Sequence, residues 1–221
     1  DVNRIEYITT ASQGNSIDFG DSAVTGYDKS GSSNSVRGVF MGGYVGSPAT
    51  DSNVIEYITI SVGGTATDFG DLTTGSNGHA GVSNSHGGLN DGYQGTRPDP
   101  ITGQRGLFMG GEDPSGAINT IEYITISTIG NSADFGDLTL ARGDNPSTGS
   151  TTRGICGGGN PKTNVIDYVE FSSTGNCSDF GNLSAARTKS GAVSNSTRAI
   201  FSGGSTPTDV NTIDYITMAS V

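Results

Sequence analysis

Short apolar runs, punctuated by glycine, serine and threonine, return along the whole chain in a fixed order. Five are versions of one strand: NRIEYITT (3–10), NVIEYITI (53–60), NTIEYITI (119–126), NVIDYVEF (164–171) and NTIDYITM (211–218). A second strand occurs four times between them, as RGVFMGG (37–43), RGLFMGG (105–111), RGICGGG (153–159) and RAIFSGG (198–204). A third element centres on Asp-Phe-Gly, at 17–21, 67–72, 133–138 and 178–183. A weaker fourth reads GSSNSV (31–36), GVSNSH (81–86) and GAVSNST (191–197), decaying to STGSTT (147–152) in the third unit.

The repeating unit is therefore four strands: small-residue, Arg-Gly-apolar-Gly-Gly, Ile-acidic-Tyr and Asp-Phe-Gly. Successive Ile-acidic-Tyr elements are 50, 66, 45 and 47 residues apart. The outlier comes from extra residues at 86–104, HGGLNDGYQGTRPDPITGQ. Within 55–60, Ile55, Tyr57 and Thr59 share one face while Glu56, Ile58 and Ile60 share the other. Bulky apolar groups on both faces predict a strand covered on both sides. Units of four short strands at this period predict an all-β fold, a β-propeller of four-stranded blades. A solenoid is the rival, but its coils are usually much shorter.

Strand bookkeeping gives one propeller domain over 1–221, with units at 31–79, 80–144 and 145–190 and a blade closed by joining 1–30 to 191–221. Four blades is the preferred count, with one Ile-acidic-Tyr strand to spare; five blades with incomplete ends is the other. The surplus at 211–218 raises self-association by strand donation. The chain starts at Asp1, and is expected to be a processed product or part of something longer.

Composition narrows the chemistry. The net charge is −11 with no basic cluster, so neither nucleic acid nor an anionic membrane surface is an expected partner. No run of 18 apolar residues predicts a membrane span. Cys156 and Cys177 fit no metal spacing and read as small apolar side chains, with a disulfide as the alternative.

Asp-Phe-Gly is also the magnesium motif of protein kinases, but four copies and no companion lysine or His-Arg-Asp element argue against that chemistry. Asp18 with Asp21, Asp68 with Asp71, and Asp134 with Asp137 are weak calcium candidates, since two carboxylates fill only part of a shell. A turn held by the first Asp, with Gly in the left-handed region, is the preferred reading. His79 and His86 read as surface-loop histidines. Arg37, Arg105, Arg153 and Arg198 read as bridges between units. The insert supplies binding candidates on a loop, namely Asn90, Asp91, Tyr93, Gln94, Arg97 and Asp99.

An apolar strand ending in Gly-Gly, then Tyr, an aromatic residue, Leu and Arg resembles the kelch repeat. Phe135, Leu138 and Arg142, and again Phe180, Leu183 and Arg187, follow its order, with Phe where that family has Trp. In phrasing the repeats are similar to those of structural proteins of tailed bacteriophages of marine cyanobacteria. The resemblance covers essentially the whole chain. It implies a virion-associated or extracellular structural or adhesive module without cofactor, binding a cell-surface glycan or protein or building a fibre. Kelch-type folds also host a copper radical oxidase, but its histidine, tyrosine and cysteine set is not matched here. A carbohydrate-active enzyme of glycosidase type is the alternative expectation, although nothing singles out a carboxylate pair.

Overall fold

A computed structural model of the protein describes residues 3–46, 48–85 and 104–218. All regular elements among them are β-strands, arranged in small antiparallel sheets. The chain opens on a hairpin of β1 (Arg4–Tyr7) and β2 (Ile17–Asp21). There follow β3 (Gly26–Tyr27), β4 (Ser30–Ser33), β5 (Arg37–Met41), β6 (Tyr44–Val45), β7 (Thr50–Asp51), β8 (Val54–Thr59) and β9 (Thr67–Asp71). Strands β4-β5-β8-β9 form a four-stranded sheet, and β3-β6-β7 a short three-stranded one.

The pattern then repeats. Strands β10 (Ala80–Ser83) and β11 (Arg105–Met109) are followed by the small hairpin β12 (Glu112–Asp113) and β13 (Gly116–Ala117). With β14 (Thr120–Thr125) and β15 (Ala133–Asp137) they give the sheet β10-β11-β14-β15. The third sheet is β16 (Ser147–Gly149), β17 (Arg153–Gly157), β18 (Thr163–Glu170) and β19 (Ser178–Arg187). A three-stranded sheet of β20 (Gly191–Ser194), β21 (Arg198–Ser202) and β22 (Ile213–Thr217) completes the described chain. The four elements legible in the sequence are thus the four strands of each full sheet, in chain order.

Local chemistry explains the sheet turns. The Asn34 side-chain oxygen accepts the backbone N–H groups of Val36 (2.8 Å) and Arg37 (2.7 Å), closing the hairpin between the first two strands. Asn195 does the same for Thr197 and Arg198. In the decayed third unit the Ser150 hydroxyl takes over, accepting from Thr152 and Arg153. The turn survives there because only an oxygen acceptor is needed.

Asp-Phe-Gly makes a β-bulge. Ile121 pairs with Gly136 and Glu122 with Asp134, so Phe135 has no opposite residue. The same skip occurs beside Phe19, Phe69 and Phe180. Released from the ladder, Phe135 packs edge-on against Tyr123 at a centroid distance of 5.9 Å. Arg105 lies over the same tyrosine ring at 5.1 Å, and Arg37, Arg153 and Arg198 repeat the contact in their own units.

Apolar cores lie between units. One joins Val39, Ile55 and Phe69 of the first full sheet to Phe108, Ile124 and Ile126 of the second. The next joins Leu107, Ile121 and Phe135 to Cys156, Val169 and Phe171. The third joins Ile155, Ile166 and Leu183 to Ala199, Phe201 and Met218. Each such buried side chain contributes roughly 1.5–3 kcal/mol, and no unit could supply that cover alone. The two-sided cover expected of the Ile-acidic-Tyr strand is present in β14, where Ile121, Glu122 and Ile124 are all buried. At β8 it is partial: Ile60 is 45% exposed, whereas its counterpart Ile126 is fully buried.

Candidate functional site

The recurring charged residues are joined to neighbouring units. Arg37 Nη1 donates to the Ile126 carbonyl (3.0 Å), Arg105 Nη1 to Phe171 (2.7 Å) and Arg153 Nη1 to Met218 (2.7 Å). Each arginine therefore crosses to the end of the Ile-acidic-Tyr strand in the following unit.

The acidic residue of that strand reaches the other way. Glu122 accepts from the Thr73 N–H and from the Thr73 and Ser132 hydroxyls. Asp167 accepts from the Thr139 N–H (3.0 Å), the Thr139 hydroxyl and Arg142 Nη2 (2.9 Å). Asp214 takes the Ser184 N–H and hydroxyl together with Arg187. Glu56 takes the Ala23 N–H, the Ser22 hydroxyl and Lys29. Glu56, Glu122 and Asp167 cap the turn that follows the Asp-Phe-Gly strand of the preceding unit, whereas Asp214 meets Ser184 within β19. Burial alone would raise the Asp214 carboxyl, but the Ser184 and Arg187 bonds outweigh it and hold it below the usual range.

The Asp-Phe-Gly acids are drawn into turns. Asp134 Oδ1 accepts the N–H of Gly136 at 3.1 Å, and Asp179 Oδ1 that of Gly181 at 2.9 Å. The backbone N–H groups of Asp71 and Asp137 are taken by Asn131 and Asn176 of the following units. Among the described residues no three His, Cys, Asp or Glu side chains gather where they could hold a metal ion. Cys156 and Cys177 are both free thiols, and burial pushes both to higher pKa.

The insert candidates Asn90, Asp91, Tyr93, Gln94, Arg97 and Asp99, and His86, lie outside the described residues. Its attachment is described. Asn84 Oδ1 accepts the Arg105 N–H at 3.0 Å, the bond that Asn34 makes to Arg37 in the uninterrupted turn. The insert therefore replaces a hairpin turn without opening the hairpin. A cavity of about 330 Å³ lies beside these two residues, walled further by Thr152, Glu170 and Phe171.

A second cavity, of about 250 Å³, is lined by all four units. Aligning the repeats shows two equivalent quartets. Asp28, Gly78, Asp144 and Lys189 have φ of 56°, 63°, 51° and 57°, so all four are left-handed. Among the described residues, Asp28, Asp144 and Lys189 are the three non-glycine residues with positive φ, a conformation rare enough for lysine to mark the position as constrained. Their backbones are linked in series: Gly78 N donates to Asp28 O, Asp144 N to Gly78 O, and Lys189 N to Asp144 O.

The next quartet is Lys29, His79, Asn145 and Ser190. Lys29 is committed to Glu56 at 2.6 Å. Asn145 donates through Nδ2 to the Met109 carbonyl and to Cys156 Sγ. Asn145 Oδ1, His79 Nδ1 and Ser190 Oγ are buried without a hydrogen-bond partner. The expectation of a surface histidine at 79 is corrected here. The ring is wedged between the backbones of Gly42 and Gly111, and its Nε2 shares a proton with Ser76 Oγ at 2.7 Å. Only missing Cβ atoms let it enter, which periodicity along one strand cannot reveal.

Burial lowers the His79 pKa to about 4. The unfolded chain, with an ordinary value near 6.5, then binds a proton that the folded chain refuses. Stability is full above pH 6.5 and is lost as pH falls towards 4, by about 2–3 kcal/mol. Denaturation midpoints across this window should show that loss, and His79→Gln should remove its share.

Comparison with protein-family models and with curated proteins returned no match.

Proposed function

We propose that the chain is a kelch-like β-propeller acting as a non-enzymatic structural or adhesive module of a virion or extracellular fibre. The observation that carries this reading is the use made of its recurring charged residues. The arginines and the strand acids are the groups a catalyst would need, and they are spent on carbonyls, hydroxyls and turn amides of adjoining units. Residues of all four units lining one cavity, with apolar cores joining the successive sheets from β4 to β22, support a four-bladed ring. On this reading the rigid repeats present the 86–104 insert to a cell-surface glycan or protein.

A panel of glycans and host-surface proteins, assayed for both binding and turnover, tests it. Binding without turnover is the expected result. Turnover abolished by one carboxylate substitution would instead establish a carbohydrate-active enzyme.

Self-association is a second reading, favoured by β22. Among the described residues no strand pairs with its outer edge over 213–216, and Ile213 and Tyr215 are 66% and 65% exposed where Ile121 is fully buried. Such an edge accepts a further strand of the same type. Removing residues 211–221 should abolish any concentration-dependent assembly seen by sedimentation, and unchanged assembly would exclude this role for the strand.

A further inference from the structure

Successive units are joined by one contact, made three times. The loop before each Asp-Phe-Gly strand seats a glycine on the Asp-Phe-Gly glycine of the preceding unit. A Cβ on Gly20, Gly70 or Gly136 would lie 2.1, 2.4 or 2.3 Å from the carbonyl oxygen of Gly64, Gly130 or Gly175. The same loops donate two backbone N–H groups to that strand, as Gly130 and Ser132 do to the Phe69 and Asp71 carbonyls. The halves of a fourth such contact are present and unmade. On β19 a Cβ at Gly181 would meet nothing within 4 Å, and among the described residues no loop amide reaches the Phe180 or Asn182 carbonyl. At the start of the chain, the loop before β2 carries Gly14-Asn15-Ser16, aligned with Gly130-Asn131-Ser132. Gly14 likewise meets nothing, and Ser16 is exposed where Ser132 is buried.

We propose that a second copy of this chain completes the last blade, its β2 pairing with β22 and its loop 14–16 seating on Gly181. Sheet β20-β21-β22 lacks only an Asp-Phe-Gly strand. Strand β2 is such a strand, held in a two-stranded sheet, an arrangement that is marginal in water. Within one chain the two halves stay apart, with β2 paired to β1. Yet β1 and β22 are versions of the same strand. Ile5 opposes Gly20 and Glu6 opposes Asp18, as Ile121 opposes Gly136 and Glu122 opposes Asp134. The two strands therefore compete for one partner, and β22 is the better fixed. Met218 is buried, its carbonyl takes Arg153, and Asp214 holds Ser184 and Arg187. In β1, Tyr7 is 44% exposed, and among the described residues the Glu6 carboxylate takes only the Ser16 hydroxyl. Exchange loses no strand pairing and gains the unmade contact. It also gives Tyr215 an aromatic partner. The other four strand tyrosines pack edge-on against the phenylalanine of their Asp-Phe-Gly strand, and Tyr215 meets none among the described residues. Exchange of an identical segment between copies is a low-cost route to assembly.

The inference rests on the self-association reading and names the strand that meets β22. The test mixes two batches of the full chain, one carrying Ile17→Cys and the other Tyr215→Cys, under mild oxidation. These positions would face each other as Ala133 faces Tyr123, and both side chains are exposed in the separate chain. A disulfide joining 17 to 215, identified by peptide mass, is the expected result, and in this mixture it can form only between copies. Gly181→Ala should weaken assembly roughly thirty-fold, because its methyl would take the seat of Gly14. In the separate chain that methyl touches nothing. A 17–215 disulfide that forms only when one chain carries both cysteines would overturn the proposal and show closure within the chain. Assembly that needs residues 211–221, yet ignores Gly181→Ala and gives no such disulfide, would overturn it and leave self-association standing. A chain that stays monomeric at every concentration would overturn both.

Discussion

Replacing Arg142 by leucine is expected to destabilise the fold by about 3–5 kcal/mol, a large part of the stability of an ordinary domain. Its side chain is completely buried, with Nη2 on Asp167 at 2.9 Å and Nη1 on the Val165 carbonyl at 3.1 Å. Asp167 is equally buried, so removing the guanidinium leaves a carboxylate balanced only by the Thr139 N–H and hydroxyl. The penalty is mostly that of an uncompensated charge. Arg142→Leu combined with Asp167→Asn should therefore cost less than Arg142→Leu alone. Urea unfolding of the two variants measures both quantities. Lys29→Ala should also be costly, because Glu56 is as buried as Asp167 and would keep only the Ser22 hydroxyl and the Ala23 N–H.

A matched pair of glycines should show the second large effect. Gly136 and Gly181 occupy the same place in successive Asp-Phe-Gly elements, with φ of 147° and 140°. A methyl group on Gly136 would lie 2.3 Å from the Gly175 carbonyl oxygen of the following unit, backbone against backbone. On Gly181 it would meet nothing within 4 Å. Both Gly→Ala changes carry the conformational strain of positive φ, about 1–2 kcal/mol. Gly136→Ala should cost at least about 2 kcal/mol more, since neither backbone can yield without separating the units. Equal losses would show that the two units do not approach as described.

The strands were legible because each carries its own punctuation. Gly-Gly ends the second strand, Asp-Phe-Gly marks the bulge, and apolar residues on both faces announce cover on both sides. The partners of the strand acids were not legible, since a contact from Asp167 to Thr139 depends on how two units stack. A trace was nevertheless present in the repeats. Where the acid is the shorter aspartate, at 167 and 214, the aligned position after the Asp-Phe-Gly strand is Arg142 or Arg187. Where it is glutamate, at 56 and 122, that position is Gly26 or Ser76. The shorter acid needs the longer base to bridge the same gap. The left-handed quartet was half visible, because Asp28, Gly78 and Asp144 are common in that conformation and Lys189 is not. The shared cavity was hidden altogether, being formed by residues about 45–66 positions apart that meet only when four units converge.

If the repeated loops weld the units into one body, hydrogen exchange of six amides will show it. Gly64 and Ala66 donate to Phe19 and Asp21, Gly130 and Ser132 to Phe69 and Asp71, and Gly175 and Cys177 to Phe135 and Asp137. All six sit in hairpin connections, where an isolated sheet would leave them to water. In a welded body they exchange as slowly as the central strands, through global unfolding. Exchange at the rate of free loops would contradict it.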